Sequence, residues 1–283
     1  MIVAIKGNMN SGKDTLASMI QYCLAEQIIG VQPTMKRYQD FSEFTESGKE
    51  RLSNSLIITF AKPIERVVAA YLGISVKEVR TRKMKNSYWN PNTGGILSEE
   101  EMKLYESANF VGLITNTRQL LSPRLSNHKY FIKIRVLYQF LGTEVGRDIF
   151  DNEIWINKCF KDYKLHIGHD NLIALKEPYD VTESDEIAAT KQYPLYIIPD
   201  LRMINEADKI LQLAPNGEVN GKYHHASHVI IELVRETDEL QDKLHDSVKE
   251  VDCIKSDISF NNSGTLDDLL EFAINLVNLI ERP

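Results

Sequence analysis

The segment Gly7-Asn8-Met9-Asn10-Ser11-Gly12-Lys13-Asp14-Thr15 organises the rest of this chain. The apolar run Ile2 to Ile5 precedes it, and Leu16, Met19, Ile20, Cys23, Leu24 and Ile28 follow at helical spacing. The chain therefore opens strand, glycine loop, helix. Gly7 and Gly12 let the backbone curl so that successive N–H groups face inward. With the helix N-terminus, those donors suit phosphate oxygens, and Lys13 adds a point charge toward the β and γ phosphates of a nucleoside triphosphate. The residue after Lys13 is Asp14, and the hydroxyl comes one place later at Thr15. That weakens direct hydroxyl ligation of Mg²⁺ and leaves the metal more to phosphates and water.

Outward from the loop, strands and helices alternate. Leu56 to Phe60 reads as a second buried strand. Pro63 suits the first turn of a helix whose buried face is Ile64, Val67, Val68 and Tyr71. Ile74 to His128 reads as an inserted, partly helical segment. Tyr130 to Arg147 is helical in period with Leu137, Phe140 and Leu141 as core, and Asp151 to Tyr163 continues as a helix carrying Trp155. Leu165 to Gln192 shows no sustained period and reads as a surface excursion. Strands are expected at Leu195 to Ile198, Val229 to Val234 and Asp257 to Phe260, with a helix over Asn205 to Leu213. The last helix buries Leu266, Leu269, Leu270, Ala273, Ile274, Val277 and Ile280. This pattern predicts one α/β domain over residues 1–283 with a mostly parallel sheet, an insertion at about 74–128 and an excursion at about 165–192.

The chain has 283 residues and a net charge of −7, with 43% hydrophobic and 26% charged residues. That balance is globular, and its acidity argues against a general nucleic-acid binder while leaving room for a local anion site. No apolar run approaches the ~18 residues of a membrane span. Lys6 and Asn8 interrupt the opening run, so a signal peptide is not expected. Cys23, Cys159 and Cys253 lie far apart and give no disulfide framework, which fits a reducing cytoplasm.

Three more clusters bear on what the loop serves. Thr59-Phe60-Ala61-Lys62-Pro63-Ile64 ends the second strand, where open α/β sheets place ligands. Arg135 and Gln139 are four apart and share a helix face, ahead of Gly142-Thr143-Glu144-Val145-Gly146-Arg147. A guanidinium grips phosphate and an amide pairs with a base edge. Pro199-Asp200-Leu201-Arg202 ends a later strand and offers a carboxylate beside another guanidinium. Each has a plainer reading: a solvated helix charge at Arg135, a surface amide at Gln139, a helix cap at Asp200.

In combination these segments resemble the deoxynucleoside monophosphate kinases of tailed bacteriophages, within the P-loop nucleoside-monophosphate kinase superfamily. The resemblance runs through Ser11 to Thr15, Ala61 to Ile64, Arg135, Gln139, Gly142 to Arg147 and Trp155. It continues through Tyr196 to Arg202 with Glu206, Val234-Arg235, and Asn262-Ser263-Gly264-Thr265-Leu266. It implies a three-layer fold with a five-stranded sheet and helical insertions. It implies transfer of the ATP γ-phosphate to a deoxynucleoside 5′-monophosphate, with ATP and Mg²⁺ required. Asn10, Ser11, Gly12, Lys13, Asp14, Thr15 and Leu16 would hold ATP phosphates, with Arg235 and Asn262 near the ATP end. Ala61, Lys62, Ile64, Arg135, Gln139, Thr143, Trp155 and Arg202 would hold the acceptor. Lys13, Arg135, Arg147, Asp200 and Arg202 would act in catalysis, and Thr15 and Asp200 toward the metal. A host-cell cytoplasmic location follows if the chain is phage-encoded, and a homodimer stays open.

The chain departs from that pattern in places. Glu65 stands where the family often has Lys, and Val248 follows His245-Asp246-Ser247 where the family tends to carry Glu. A phosphomevalonate-kinase-like enzyme and a non-catalytic ATP switch remain as alternatives. His224, His225 and His228, like His166 and His169, read as solvated loop residues rather than metal ligands. Arg80 to Lys85 reads as a solvated charge run, with a segment closing over the transferring phosphates as the alternative.

Overall fold

The computed structural model describes residues 1–8, 10–46, 55–106, 112–120, 130–160, 195–215, 217–218, 221–223, 227–235 and 250–280. The excursion at 165–192 and His166, His169, His224, His225 and His245 to Val248 lie outside the described residues, as do the side chain of Ile28, Asn216 and Asn220. In chain order the elements begin with β1 (Ile2–Lys6), α1 (Lys13–Ile28), α2 (Met35–Glu46), β2 (Ser55–Ile57), α3 (Ala61–Leu72), α4 (Val76–Arg80) and α5 (Arg82–Asn86). Next come β3 (Tyr88–Trp89), β4 (Ile96–Leu97), α6 (Glu99–Glu106), β5 (Gly112–Ile114), α7 (Thr117–Leu120), β6 (Tyr130–Lys133) and α8 (Ile134–Gln139). A π-helix (Phe140–Phe150), α9 (Ile154–Cys159), β7 (Leu195–Ile198), α10 (Ile204–Leu213), β8 (His228–Val234), β9 (Ile258–Asn261) and α11 (Leu266–Leu279) complete the described chain.

The chain divides into two units, Met1–Thr59 with Phe160–Pro283, and Phe60–Cys159. The first holds a parallel sheet in the order β2-β7-β1-β8-β9. Ile2 of β1 lies opposite both Tyr196 and His228, and Ile2, Val3, Ala4 and Ile5 are wholly buried. A strand apolar on both faces belongs in the middle of a parallel sheet. Val3, Ile5, Ile197, Ile231 and Leu233 share one core with Leu16, Ile20 and Cys23 of α1 and Leu269, Ala273 and Val277 of α11. On the other face His228 Nδ1 meets the Ala214 carbonyl at 2.7 Å, just beyond α10. Full burial of each such aliphatic side chain contributes roughly 1.5–3 kcal/mol. The last helix departs from expectation at its start: Leu266 is exposed, while Leu276 is buried. Thr265 caps that helix, sharing a reciprocal pair of hydrogen bonds with Asp268.

The winding of the sheet reverses about β1. The chain after β1 passes through α1 and α2 to β2 on one side, whereas the chain after β7 arrives at β8 on the opposite side of β1. Such a reversal opens a crevice at the carboxyl ends of the strands.

The second unit corrects the sequence reading more deeply. This unit runs from residue 60 to residue 159. The stretch expected to be irregular and helical supplies three strands of a four-stranded sheet in the order β4-β3-β6-β5. β3 pairs antiparallel with β4 and β6, and β5 runs parallel to β6. Tyr130 to Lys133, expected as helix, is the sheet's β6. Its core joins Val68, Ala69, Leu72, Val79, Trp89, Ile132, Ile134 and Leu137.

The buried face of α3 is Glu65, Val68, Ala69 and Leu72, while Val67 and Tyr71 are exposed. The carboxylate of Glu65 explains the shift. Its Oε2 receives Arg80 Nε at 2.6 Å and its Oε1 lies 3.5 Å from Lys85 Nζ. A buried carboxylate needs such partners. Two charges of the Arg80 to Lys85 run are therefore committed to α3, and Lys85 also lies over the Tyr138 ring. The run is a tether, not merely a solvated stretch.

Candidate functional site

The glycine loop leaves the carboxyl end of β1. Gly7, Asn10 and Gly12 have φ of 145°, 62° and 95°. A Cβ at Gly7 would run into the Leu233 carbonyl oxygen, and one at Gly12 would come within 2.6 Å of Asn262 Nδ2. Both positions thus exclude side chains for conformational and for steric reasons. Gly12 is the N-cap of α1, and among the described residues no side chain caps that helix. The first N–H groups of a helix have no partner within it, so an uncapped, positively polarised end is available to an anion.

Lys13 is buried at the start of α1. Its ammonium donates to the Gly7 carbonyl at 2.7 Å and to the Asn8 carbonyl at 2.5 Å, and lies 3.4 Å from Ser11 Oγ. Burial lowers its pKa to about 8, and Arg202 pushes the same way against Asp14 and Asp200. Lys13, Asp14, Asp200 and Arg202 therefore form one electrostatic neighbourhood. Asp14 is exposed and Thr15 half-buried. Leu16 is wholly buried and its N–H closes the first turn on Gly12 at 2.9 Å, which gives Leu16 to the core.

Asp200 and Arg202 reach this neighbourhood because β7 pairs directly with β1. Glu206, with 2% of its surface exposed, shapes their turn. Its Oε2 accepts from the N–H groups of Arg202 at 2.9 Å and Met203 at 3.0 Å. Glu206 stands at the third position of α10, and its carboxylate reaches back to the N-cap N–H of Met203. Arg235 is exposed, directly after β8.

The other predicted residues belong to the second unit. Ala61, Lys62 and Ile64 are half-buried in the first turns of α3, which also has no side-chain cap among the described residues. Arg135, Gln139, Thr143 and Arg147 are half-buried along α8 and the π-helix. Their common spacing of four has a consequence that depends on the change of helix type. In an α-helix each fourth residue stands ~40° further round the axis. With i→i+5 bonding the turn widens to ~4.4 residues, so each fourth residue falls ~33° short. One step of the first kind followed by two of the second keeps the four positions within an arc of ~70°, on one face of the helix.

Gly142 and Gly146 point to another side. A Cβ at Gly142 would stand 3.1 Å from Ile64, and one at Gly146 would stand 2.5 Å from the Trp155 ring. Trp155 is buried, and its indole N–H donates to the Gly142 carbonyl at 2.7 Å. The structure thus gives Trp155 a packing partner for both its ring and its N–H. Sequence periodicity gave no warning of the π-helix.

Among the described residues no three His, Cys, Asp or Glu side chains stand where they could hold a metal ion together. No helix among them is long and apolar enough to cross a membrane. No protein-family model and no curated protein matches the chain.

Proposed function

We propose that the protein transfers the γ-phosphoryl group of ATP to the phosphate of a 2′-deoxynucleoside monophosphate. An oxygen of the acceptor phosphate bonds to the γ-phosphorus, the bond from that phosphorus to the β–γ bridging oxygen breaks, and ADP leaves with a deoxynucleoside diphosphate. The observation that carries this reading is Lys13, buried in a glycine loop on the central strand, with Asp200 and Arg202 in its electrostatic neighbourhood. A parallel sheet of five strands with the loop on the middle one accords with a P-loop kinase.

The reading assigns ATP to the first unit and the acceptor to the second. The uncapped end of α1, the loop N–H groups and Lys13 bind the triphosphate. Arg202 stabilises charge on the transferring group, and Arg235 and Asn262 belong to the ATP end. Arg135 and Arg147 take the acceptor phosphate, and Gln139 reads the base from the same face, with Thr143 between them. Ala61, Lys62 and Ile64 line the pocket at the start of α3, and Trp155 supports its wall. Phosphoryl transfer needs alignment, charge neutralisation and exclusion of water rather than a protein nucleophile.

Mg²⁺ fits as an ion that arrives with the triphosphate. The donors near Lys13 are two carboxylates, Asp14 and Asp200, and the hydroxyl of Thr15 lies in the same turn as Asp14. One or two carboxylates with phosphates and water suit Mg²⁺, which keeps much of its hydration. Asp200 and Thr15 would hold it, and it would neutralise charge on the phosphates. Incubation with ATP, Mg²⁺ and each deoxy- and ribonucleoside monophosphate, with chromatography of the products, tests the reading. Diphosphate formed only with a monophosphate present supports it, and ATP consumption indifferent to the acceptor refutes it.

A further inference from the structure

The glycine loop is held from one side of the sheet. Lys6, the last residue of β1, is 3% exposed, and its ammonium lies 3.1 Å from Glu232 of β8. It also donates to the carbonyls of Ile254 at 2.6 Å and Val251 at 3.2 Å. Gly7 backs onto the Leu233 carbonyl. Asn262, just past β9, is buried, and its Nδ2 donates to the Ser11 carbonyl at 2.8 Å while facing Gly12. Asn262 is itself fixed, because its N–H donates to the Val234 carbonyl at 2.7 Å. The ends of β8 and β9 therefore grip the loop before and after its curl.

From this we infer that Asn262 is a positioning residue for the loop, acting on bound phosphate through the Ser11–Gly12 peptide rather than by touching the nucleotide. The amide has one short, buried partner, and that partner is the carbonyl that sets the orientation of the peptide leading into α1. A peptide free to rotate there would turn its N–H away from the direction shared by the first N–H groups of α1. The inference deepens the assignment of ATP to this loop and rests on it for its consequence in binding. The clamp itself can be read with no nucleotide at all.

Two variants separate the possibilities. Asn262→Ala removes the donor, and Asn262→Asp replaces it with an acceptor set against a carbonyl. In the ligand-free protein, amide exchange in residues 10–16 should quicken at least tenfold in both, with exchange in β1 unchanged. ATP should bind roughly ten- to thirtyfold more weakly, while KM for the acceptor stays within twofold. A third comparison covers a variant that folds poorly. Gly12→Ala should weaken ATP binding less in the Asn262→Ala background than in the wild type, because the amide that its methyl meets is gone. Unchanged exchange in residues 10–16, equal losses for ATP and acceptor, or strictly additive Gly12 and Asn262 effects would overturn the inference. Failure of the kinase reading looks different: the wild type would then transfer no phosphate to any monophosphate, with the exchange difference intact.

Discussion

The indole N–H of Trp155 donates to the carbonyl of Gly142 at 2.7 Å, and the same ring closes over Gly146 one π-turn later. One side chain thus fastens α9 to both small residues of the π-helix. The winding it supports is the winding that lines up Arg135, Gln139, Thr143 and Arg147.

Gly146→Ala should be among the most damaging small substitutions in the second unit. A methyl 2.5 Å from the ring forces displacement of packed atoms, a cost of about 1–3 kcal/mol. Trp155→Phe should cost a similar ~1–3 kcal/mol by leaving a buried carbonyl without its donor. Chemical denaturation followed by circular dichroism measures both. Stability within ~0.5 kcal/mol of wild type for either would remove the fastening role.

Lys13 should make stability depend on pH in the alkaline range. Its pKa is about 8 in the folded protein against 10.5 for the ordinary lysine. Between those values the unfolded chain binds more protons, so stability rises with pH and the gain is complete above the ordinary value. The span corresponds to roughly 3 kcal/mol. Urea denaturation of the wild type should show this rise relative to Lys13→Met, and parallel curves for the two proteins would contradict it. Triphosphate binding near pH 8.5 should take up a proton at Lys13, seen as a dependence of calorimetric heat on the ionisation enthalpy of the buffer.

Arg80→Ala and Glu65→Leu should differ. The first leaves a buried carboxylate with Lys85 at 3.5 Å as its one cation among the described residues, while the second removes the buried charge and leaves two cations with access to water. Breaking a pair from the exposed side is the costlier change, by about 1–2 kcal/mol here because Arg80 is itself partly solvated. Thermal unfolding of the two variants decides the order, and a more stable Arg80→Ala would reverse the account.

Gln139→Leu should alter the ranking among bases more than it alters ATP affinity, since an amide left unpaired against a bound base discriminates against the wrong base edge. Arg135→Ala should cost about 2–4 kcal/mol in transition-state binding, about 30- to 1,000-fold in kcat/KM for the acceptor. Substrate profiling of both variants measures these effects. An unchanged base ranking would remove Gln139 from the site.

The parts legible in the sequence are those where one local rule acts alone. β1, the glycine loop and α1 follow from an apolar run, two glycines and a helical period, and Leu195 to Ile198 follows from a run apolar on both faces. The second sheet was not legible, because Tyr88–Trp89 and Ile96–Leu97 are too short to show a period. Tyr130 to Lys133 was absorbed into the helix behind it, since β6 passes into α8 with no intervening residue. Apolar residues at helical spacing place Val67 and Tyr71 on the inner face of α3, yet both are exposed. Glu65 took the inner face because Arg80 and Lys85, 15 and 20 residues away, neutralise it.

In the site, Lys13, Asp200 and Arg202 could be named from motif and strand end. The grip of Asn262 on Ser11 spans 251 residues, and no local pattern announces a contact of that range. The alignment of Thr143 and Arg147 with Arg135 was equally hidden, because it depends on a change of helical winding within one continuous apolar period.

The central claim is acceptor-dependent phosphoryl transfer that depends on Lys13. The most direct measurement is phosphorus NMR of wild type and Lys13→Ala with ATP, Mg²⁺ and a panel of 2′-deoxynucleoside monophosphates. The account predicts loss of monophosphate matched by equal gains of ADP and deoxynucleoside diphosphate for at least one base. It predicts no turnover by Lys13→Ala with the circular dichroism of the wild type. ATP hydrolysed to free phosphate without any diphosphate acceptor product, or wild-type transfer by Lys13→Ala, would contradict it.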